Sequence, residues 1–293
     1  MKTGDSVTVA VVPAAGFGTR FLPATKSIPK EMLPIVNRPA IQVIAEEAHA
    51  SGITNFVVVT GRNKEEIVDH FDRVPELEAA LEKSGKTAML DSVVEPVHLM
   101  DVSCIRQHRA NGLGHAVLRS RSLVGDKPFV VMLPDDLIQA EEPFLKTLIA
   151  AHQRTGKAAL ALMEVPDEAV SSYGIVDGHF SEDGTFNIVD MVEKPAVEDA
   201  PSRFAVVGRY VLPSKVFDIL EDTEPGAGGE IQLTDALRVL AREDGIVGVP
   251  LQGLRHDTGN VLGYILANIS YAMEQDELGD ELRSRISALL ADT

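Results

Sequence analysis

The chain has 293 residues, enough to bury a large core as one big α/β domain or two modest ones. Its 45% apolar and 24% charged residues are ordinary values that exclude a disordered or fibrous protein. A net charge of −17 argues against a general nucleic-acid binder, and no apolar run reaches the ~20 residues needed to cross a bilayer.

The opening MKTGDSVTVA lacks the pattern of a secretory signal, so a cytoplasmic location is expected. VTVAVVPAA (7–15) is then a continuous β-branched run, the mark of a strand covered on both faces. AAGFGTRFLP follows it and delivers an arginine after two glycines. A dinucleotide fingerprint would need a small third residue and an acidic residue about 20 positions on; Phe21 occupies that third position and Pro23 blocks a helix. The loop to Pro34 is expected to stay extended, punctuated by Pro23, Pro29 and Pro34. It carries Arg20, Lys26 and Lys30 in a stretch from Ser6 to Lys30 that has no acidic residue. Glycine lets backbone N–H groups approach an anion with no Cβ in the way, so this is a phosphate-cradle candidate in an otherwise acidic chain.

AIQVIAEEAHASG (40–52) has helical spacing and a glycine stop, and NFVVVTG (55–61) is a second buried strand. The one cysteine, Cys104, excludes an intrachain disulfide and a cysteine-built metal centre, and reads as a small buried apolar residue. PFVVMLPDD (128–136) is a third strand that ends in two aspartates, at the edge where open α/β sheets gather ligands. Asp135 is the better Mg²⁺ candidate; Asp136 reads equally well as the cap of a following helix. PFLKTLIAAHQRTG (143–156) and AALALMEV (158–165) add a helix and a strand, completing a parallel α/β pattern.

Beyond residue 165 the strands shorten: YGIV (173–176), FNIVDMVEKP (186–195) and RFAVVGRYVL (203–212) suggest an antiparallel extension beside the parallel core. GGEIQLTDALRVLARE (228–243) is an amphipathic helix, and IVGVPLQG (246–253) a last strand. Asp257 in LRHDTGN then stands at another strand end, from which it can converge with Asp135 on one ion. The tail from Val261 is helical; its acidic EQDELGDE reads as a solvated face and YILANISYAM as an interaction element.

The segment PAAGFGTRFLPATKSIPKEMLP (13–34) resembles the signature of the sugar-nucleotide pyrophosphorylases. Its TKSIPKEMLP ending is similar to that of the bacterial UTP:glucose-1-phosphate uridylyltransferases, whereas thymidylyltransferase relatives usually carry Gln in place of Glu31. RQHRANGLGHAV, LPDDL, SSYGIV, VEKP, VGRYVL, GEIQLTDA and HDTGN continue the likeness in order across residues 7–264. The resemblance implies a Rossmann-like nucleotidyltransferase core, with a mixed, mainly parallel sheet between helices, a small antiparallel sugar-binding extension and a C-terminal helical tail. The expected boundaries are 1–259 for the catalytic domain, with the nucleotide-binding core mainly in 7–165 and the sugar-binding part in 166–259, and 260–293 for a tail that assembles a homo-oligomer.

The reaction so implied joins UTP and glucose 1-phosphate into UDP-glucose and pyrophosphate, with Mg²⁺ as cofactor. Arg20 and Lys30 would hold the triphosphate, with the amides of Gly16 and Gly18 close by, and Lys194 would grip the sugar phosphate. Asp135 and Asp257 would ligate the metal. Gln107 and Gly112 would meet the uracil, the amide donating to a carbonyl and accepting from N3–H, with Ala14, Ala15 and Glu31 nearby. Tyr173, Gly174, Gly208, Glu193 and Glu230 would shape the sugar site. Neighbours on a strand face opposite sides, so Glu193 and Lys194 can share a pocket only where the strand twists or bulges. Lys26 has no assigned role, and the histidines, His115 and His256 included, read as packing or hydrogen-bonding residues. The rivals are the same chemistry with dTTP or another hexose phosphate, and a catalytically silent binder of sugar nucleotides.

Overall fold

The computed structural model describes residues 6–182, 184–226 and 229–291. The strands run β1 (Val9–Ala14), β2 (Pro34–Ile35), β3 (Arg38–Pro39), β4 (Asn55–Thr60), β5 (Asp101–Arg106), β6 (Phe129–Met132) and β7 (Asp136–Gln139). The second half of the chain adds β8 (Ala158–Glu164), β9 (Gly174–Phe180), β10 (Phe186–Glu193), β11 (Phe204–Leu212), β12 (Ile246–Pro250) and β13 (Leu254–Asp257).

Among the described residues one nine-stranded sheet organises the molecule, in the order β5-β4-β1-β6-β11-β8-β12-β10-β9. β5, β4, β1 and β6 are mutually parallel, as are β8 and β12. β10 and β9 extend the sheet antiparallel at its far edge. β11 pairs antiparallel with both β6 and β8 and so sits in the middle of the sheet.

The apolar runs follow from two-sided burial. Val9 and Val11 enter one core with Val57, Val59 and Val131, while Ala10 and Val12 enter the other with Phe56 and Val58. Strand side chains alternate, so a strand buried on both faces has no position for a polar residue. Helices Leu113–Arg119, Lys215–Asp222 and Leu233–Glu243 cover the first face, where Phe217 stacks on Phe129 at 4.8 Å. Helices Ala40–Ala50 and Phe144–Thr155 cover the second.

Four expectations are corrected here. The loop after β1 is not extended: it coils into three single 3₁₀ turns, Thr19–Phe21, Ala24–Lys26 and Lys30–Met32, each short enough to fit between prolines that interrupt a longer helix. Asp136 caps no helix but opens β7, which pairs with β13 and sets Asp257 opposite Asp136. The helix expected over 228–243 begins at Leu233, and Gly228 itself lies outside the described residues. Cys104 is exposed, because β5 forms the sheet edge. No described helix is long and apolar enough to cross a membrane.

Candidate functional site

Two cavities of about 370 and 300 Å³ open side by side beside the loops that follow β1 and β6, and Leu133, Asp135 and Glu230 belong to the walls of both. The larger takes in Tyr173, Gly174, Glu193, Lys194, Gly208 and Asp257. The smaller takes in Ala15, Gly16, Lys30, Glu31, Gln107 and Gly112. Residues expected to act together thus gather from both halves of the chain. Ala14 and Gly18 line neither cavity: Ala14 is wholly buried, and Gly18, at φ +64°, turns the loop so that Lys30 passes close behind it.

Where the cavities meet, Lys30 Nζ donates to Asp135 Oδ2 at 2.6 Å. Burial alone would lower the Lys30 pKa, but Asp135 and Glu31 beside it outweigh that and leave it raised. Burial would likewise raise Asp135, and Lys30 outweighs it, holding the carboxyl below its ordinary range. Asp257 arrives from the end of β13 and its Oδ1 accepts the Gly259 N–H at 2.9 Å. A methyl group placed on Gly259 would stand 2.9 Å from Asp135 Oδ2, 3.0 Å from Asp257 Oδ1 and 3.5 Å from Arg20 Nη1. The two carboxylates and the arginine therefore face one small space that only glycine leaves open. Arg20 stays there through a 3.3 Å hydrogen bond from Nη1 to the Gly259 carbonyl.

That space is the test for a metal. Among the described residues no group of three or more His, Cys, Asp or Glu gathers to hold an ion by itself. Two hard oxygen ligands with room beside them suit a divalent cation that completes its shell with phosphate and water, as Mg²⁺ does. The residues present fit such an ion.

On the side of the larger cavity, Lys194 has φ 46°, the left-handed region that a residue with a side chain enters at a cost of about 1–3 kcal/mol. It follows the last residue of β10, and its amide donates to the Tyr173 carbonyl at 3.0 Å. This turn resolves the problem of neighbouring side chains: Lys194 Nζ swings back to within 3.3 Å of Glu193 Oε1, and both side chains face the same cavity. Glu193 is aimed by Thr234, whose hydroxyl donates to Oε2 at 2.6 Å. Gly208 lies where the pairing of β11 with β8 is irregular, and its N–H donates to Asp136 Oδ2 at 2.7 Å.

On the other side Gly16 has nothing near where a side chain would start, leaving its backbone open to a ligand. Gln107 Nε2 reaches the Gly112 carbonyl at 3.1 Å and His115 Nδ1 at 2.9 Å. Its two N–H donors are thereby committed within the protein. In this arrangement the Oε1 acceptor is left to meet a ligand. Glu31 shares this cavity with Gln107 and Gly112 and lies in its floor with no exposed side-chain surface. Its Oε2 pairs with Lys64 Nζ at 2.9 Å and its Oε1 has no partner. Lys64 in turn donates to the Ala14 carbonyl at 2.6 Å. Glu31 is thereby linked through Lys64 to the backbone of the loop after β1. Burial lowers the Lys64 pKa, and Glu31 offsets only part of that.

Lys64, Thr234, Arg255 and Gly259 escape a reading of the sequence alone. A signal exists for two of them. Arg255 lies two residues before Asp257 on one strand, hence on the same face. Lys64 lies in the loop after β4, beyond the carboxyl end of that strand, where open α/β sheets gather ligands. The other two carry no sequence signal, since only their neighbours in space give them meaning.

The chain is similar to known proteins over nearly its whole length. A family model described as nucleotidyl transferase matches residues 9–274. The UTP–glucose-1-phosphate uridylyltransferase of Bacillus subtilis is 46% identical, over 96% of each chain. A UDP-glucose pyrophosphorylase solved in complex with UDP-glucose superposes with a TM-score of 0.84 at 43% identity, covering 92% of this chain and 100% of that one. The UTP-bound enzyme of Acinetobacter baumannii superposes with a TM-score of 0.89 at 41% identity, over 96% and 99% of the two chains.

Proposed function

We propose that this chain, which belongs to the nucleotidyl transferase family and within it to the UTP–glucose-1-phosphate uridylyltransferases, transfers UMP from UTP to glucose 1-phosphate, giving UDP-glucose and pyrophosphate. The observation that carries the reading is the meeting of Lys30 and Asp135 between the two cavities, with Asp257 and Arg20 facing Asp135 across the adjoining space at Gly259, and relatives of this sequence are named for this reaction.

The chemistry asks for little beyond positioning. An oxygen of the sugar phosphate attacks the α-phosphorus of UTP, the bond to the β-phosphate oxygen breaks, and pyrophosphate leaves with that electron pair. The attacking oxygen is already ionised, so no base is required, consistent with His115 and His256 being engaged by Gln107 and Gln139. The obstacle is repulsion: two like unit charges ~4 Å apart cost about 4 kcal/mol at an effective dielectric of 20. Fixed cations and dipoles at that point lower the barrier most.

In this reading Arg20 and Lys30 hold the triphosphate and take up the charge of the departing pyrophosphate, with the Gly16 amide beside it and Gly18 shaping the turn. Lys194 closes on the sugar phosphate, Glu193 accepts hydrogen bonds from sugar hydroxyls, and Tyr173, Gly174, Gly208 and Glu230 bound the sugar. Asp135 and Asp257 would hold Mg²⁺, which when bound would supply positive charge to offset the repulsion of the phosphates. Gln107 Oε1 accepts the N3–H of uracil, with Gly112 and the backbone of Ala14 and Ala15 around the ring. A cytoplasmic setting belongs to the same reading, since both substrates are highly charged.

The test is pyrophosphate release from purified protein with Mg²⁺ and glucose 1-phosphate, comparing UTP, dTTP, CTP, ATP and GTP. Preference for UTP is expected. CTP should be rejected most sharply among the pyrimidines, because cytosine presents an acceptor at N3 to the Gln107 acceptor. Release with dTTP in preference to UTP would move the chain to the thymidylyl branch, and no release with any nucleotide would overturn the enzymatic reading.

A further inference from the structure

Arg255 has no part in the roles above, yet it stands in the wall of the larger cavity between Tyr173 and the paired aspartates. Its side chain is 9% exposed. Nη2 contacts Asp136 Oδ1, Nη1 donates to the Tyr173 hydroxyl at 3.0 Å, and the guanidinium carbon lies 5.2 Å from the centre of the Tyr173 ring. Asp136 carries the connection onward through Oδ2 to the Gly208 N–H. One planar cation thus ties the residue just before β9 to the start of β7 and, through Asp136, to the irregularly paired stretch of β11. A guanidinium fork fixes direction as well as charge, which an ammonium on a flexible stem does not.

The surrounding charges give this tie a function. The cavity wall carries Asp135, Asp136, Asp257, Glu193 and Glu230, and must still accept a sugar phosphate. Lys30 is already paired with Asp135, and Lys194 is 59% exposed and paired with its neighbour Glu193. Within the cavity wall Arg255 is a buried, immobilised positive charge among these acids, while the wholly buried Arg209 lies behind the wall against the Leu133 and Gly208 carbonyls.

We propose that Arg255 is a positioning residue for the acceptor substrate: it holds the Tyr173 phenol against the cavity and Asp136 against Gly208, and so sets the affinity for the sugar phosphate without serving the nucleotide. This rests on the reaction proposed above. The test is steady-state kinetics of Arg255→Lys, Arg255→Met, Tyr173→Phe and the Arg255→Met/Tyr173→Phe double variant, with KM measured separately for glucose 1-phosphate and for UTP. Loss of a hydrogen bond to a charged group predicts a KM for glucose 1-phosphate raised about tenfold or more in Arg255→Met, with KM for UTP within about twofold. Arg255→Lys should recover only part of this, because the charge returns without the fork. Tyr173→Phe should show a smaller rise, and the double variant should be no worse than Arg255→Met, since the phenol is held through the arginine. Equal shifts in both KM values, a loss confined to kcat, or effects of the two residues that multiply would overturn the proposal. Should Arg255→Met not fold, Arg255→Lys and Tyr173→Phe carry the same test, each removing one feature and keeping the rest. Wild-type turnover separates the two levels: an active wild type with unchanged variant KM values removes the Arg255 role alone, whereas an inactive wild type removes the reaction and this role with it.

Discussion

Gly259 shows how much of the site depends on what is absent. Its missing side chain is the space that Asp135, Asp257 and Arg20 share. Gly259→Ala should leave the melting temperature nearly unchanged, because this glycine does not need a left-handed backbone, yet weaken activation by Mg²⁺ roughly tenfold to a hundredfold, the loss typical when the setting of a metal is disturbed. A Mg²⁺ titration of turnover reads this directly; an unaltered titration would remove the metal from that space. Beneath the neighbouring loop, Lys64 and Glu31 make a buried pair. Lys64→Met leaves a carboxylate uncompensated and should cost about 3–5 kcal/mol, while Lys64→Met with Glu31→Gln should restore most of the loss. Chemical denaturation of the two variants decides it: equal stability would mean the pair is not what holds the loop. The Lys30–Asp135 pair adds a pH dependence. Because Asp135 titrates below its ordinary 3.8 in the folded chain, its contribution is complete above that value and is lost as pH falls through the lower one. Metal-free wild type should therefore lose its advantage over Asp135→Asn only in that acid window, and a gap in melting temperature that persists unchanged to pH 2 would contradict the pairing.

At the scale of elements, strands covered on both faces are legible from sequence because their whole length obeys one rule. Val9–Ala14, Asn55–Thr60 and Ala158–Glu164 appear within a residue or so of where the apolar runs put them. β5 and the helices Pro75–Lys83 and Thr87–His98 escape notice since they lie at the edge, largely exposed, where no buried face imposes a pattern. The central place of β11 escapes for another reason: an apolar strand does not say which neighbours it takes. That insertion matters to the site, because it brings Gly208 against the loop after β6. A methyl group on Gly208 would stand 2.5 Å from Asp136 Oδ2 and 2.7 Å from Leu133 Cβ. Gly208→Ala must therefore push that loop aside, and overpacking of this kind should destabilise by about 1–3 kcal/mol and impair turnover together. Thermal melts and kinetics that leave either property intact would show the loop to be compliant. Motif residues such as Lys30, Asp135 and Asp257 were legible as candidates through order and chemistry. Their convergence was an inference about strand ends, and the structure brings Asp135 and Asp257 to one space through the pairing of β7 with β13.

For the whole molecule the open question is what covers the tail. Helix Val261–Met273 buries only Ala267 among its residues, while Leu262 is 66% and Leu266 52% exposed. It is nonetheless anchored: its first turn is capped by Asn260, Tyr264 donates to the Pro34 carbonyl at 2.8 Å and packs edge-on against Phe21, and Asn268 accepts the Val36 amide. A helix fixed this firmly to the loop after β1, with an apolar face turned outward, presents a surface of the kind that marks an interaction site, and a second copy of the same chain is the occupant we expect. Light scattering should then give a mass at least twice that of one chain, and Leu262→Lys with Leu266→Lys should reduce it to the monomer. Because Phe21 and Pro34 belong to the same loop region as Arg20 and Lys30, the monomeric variant should also lose affinity for UTP more than for glucose 1-phosphate. A wild-type monomer would refute the assembly, and a monomeric variant with both KM values unchanged would show that assembly and the nucleotide loop are independent.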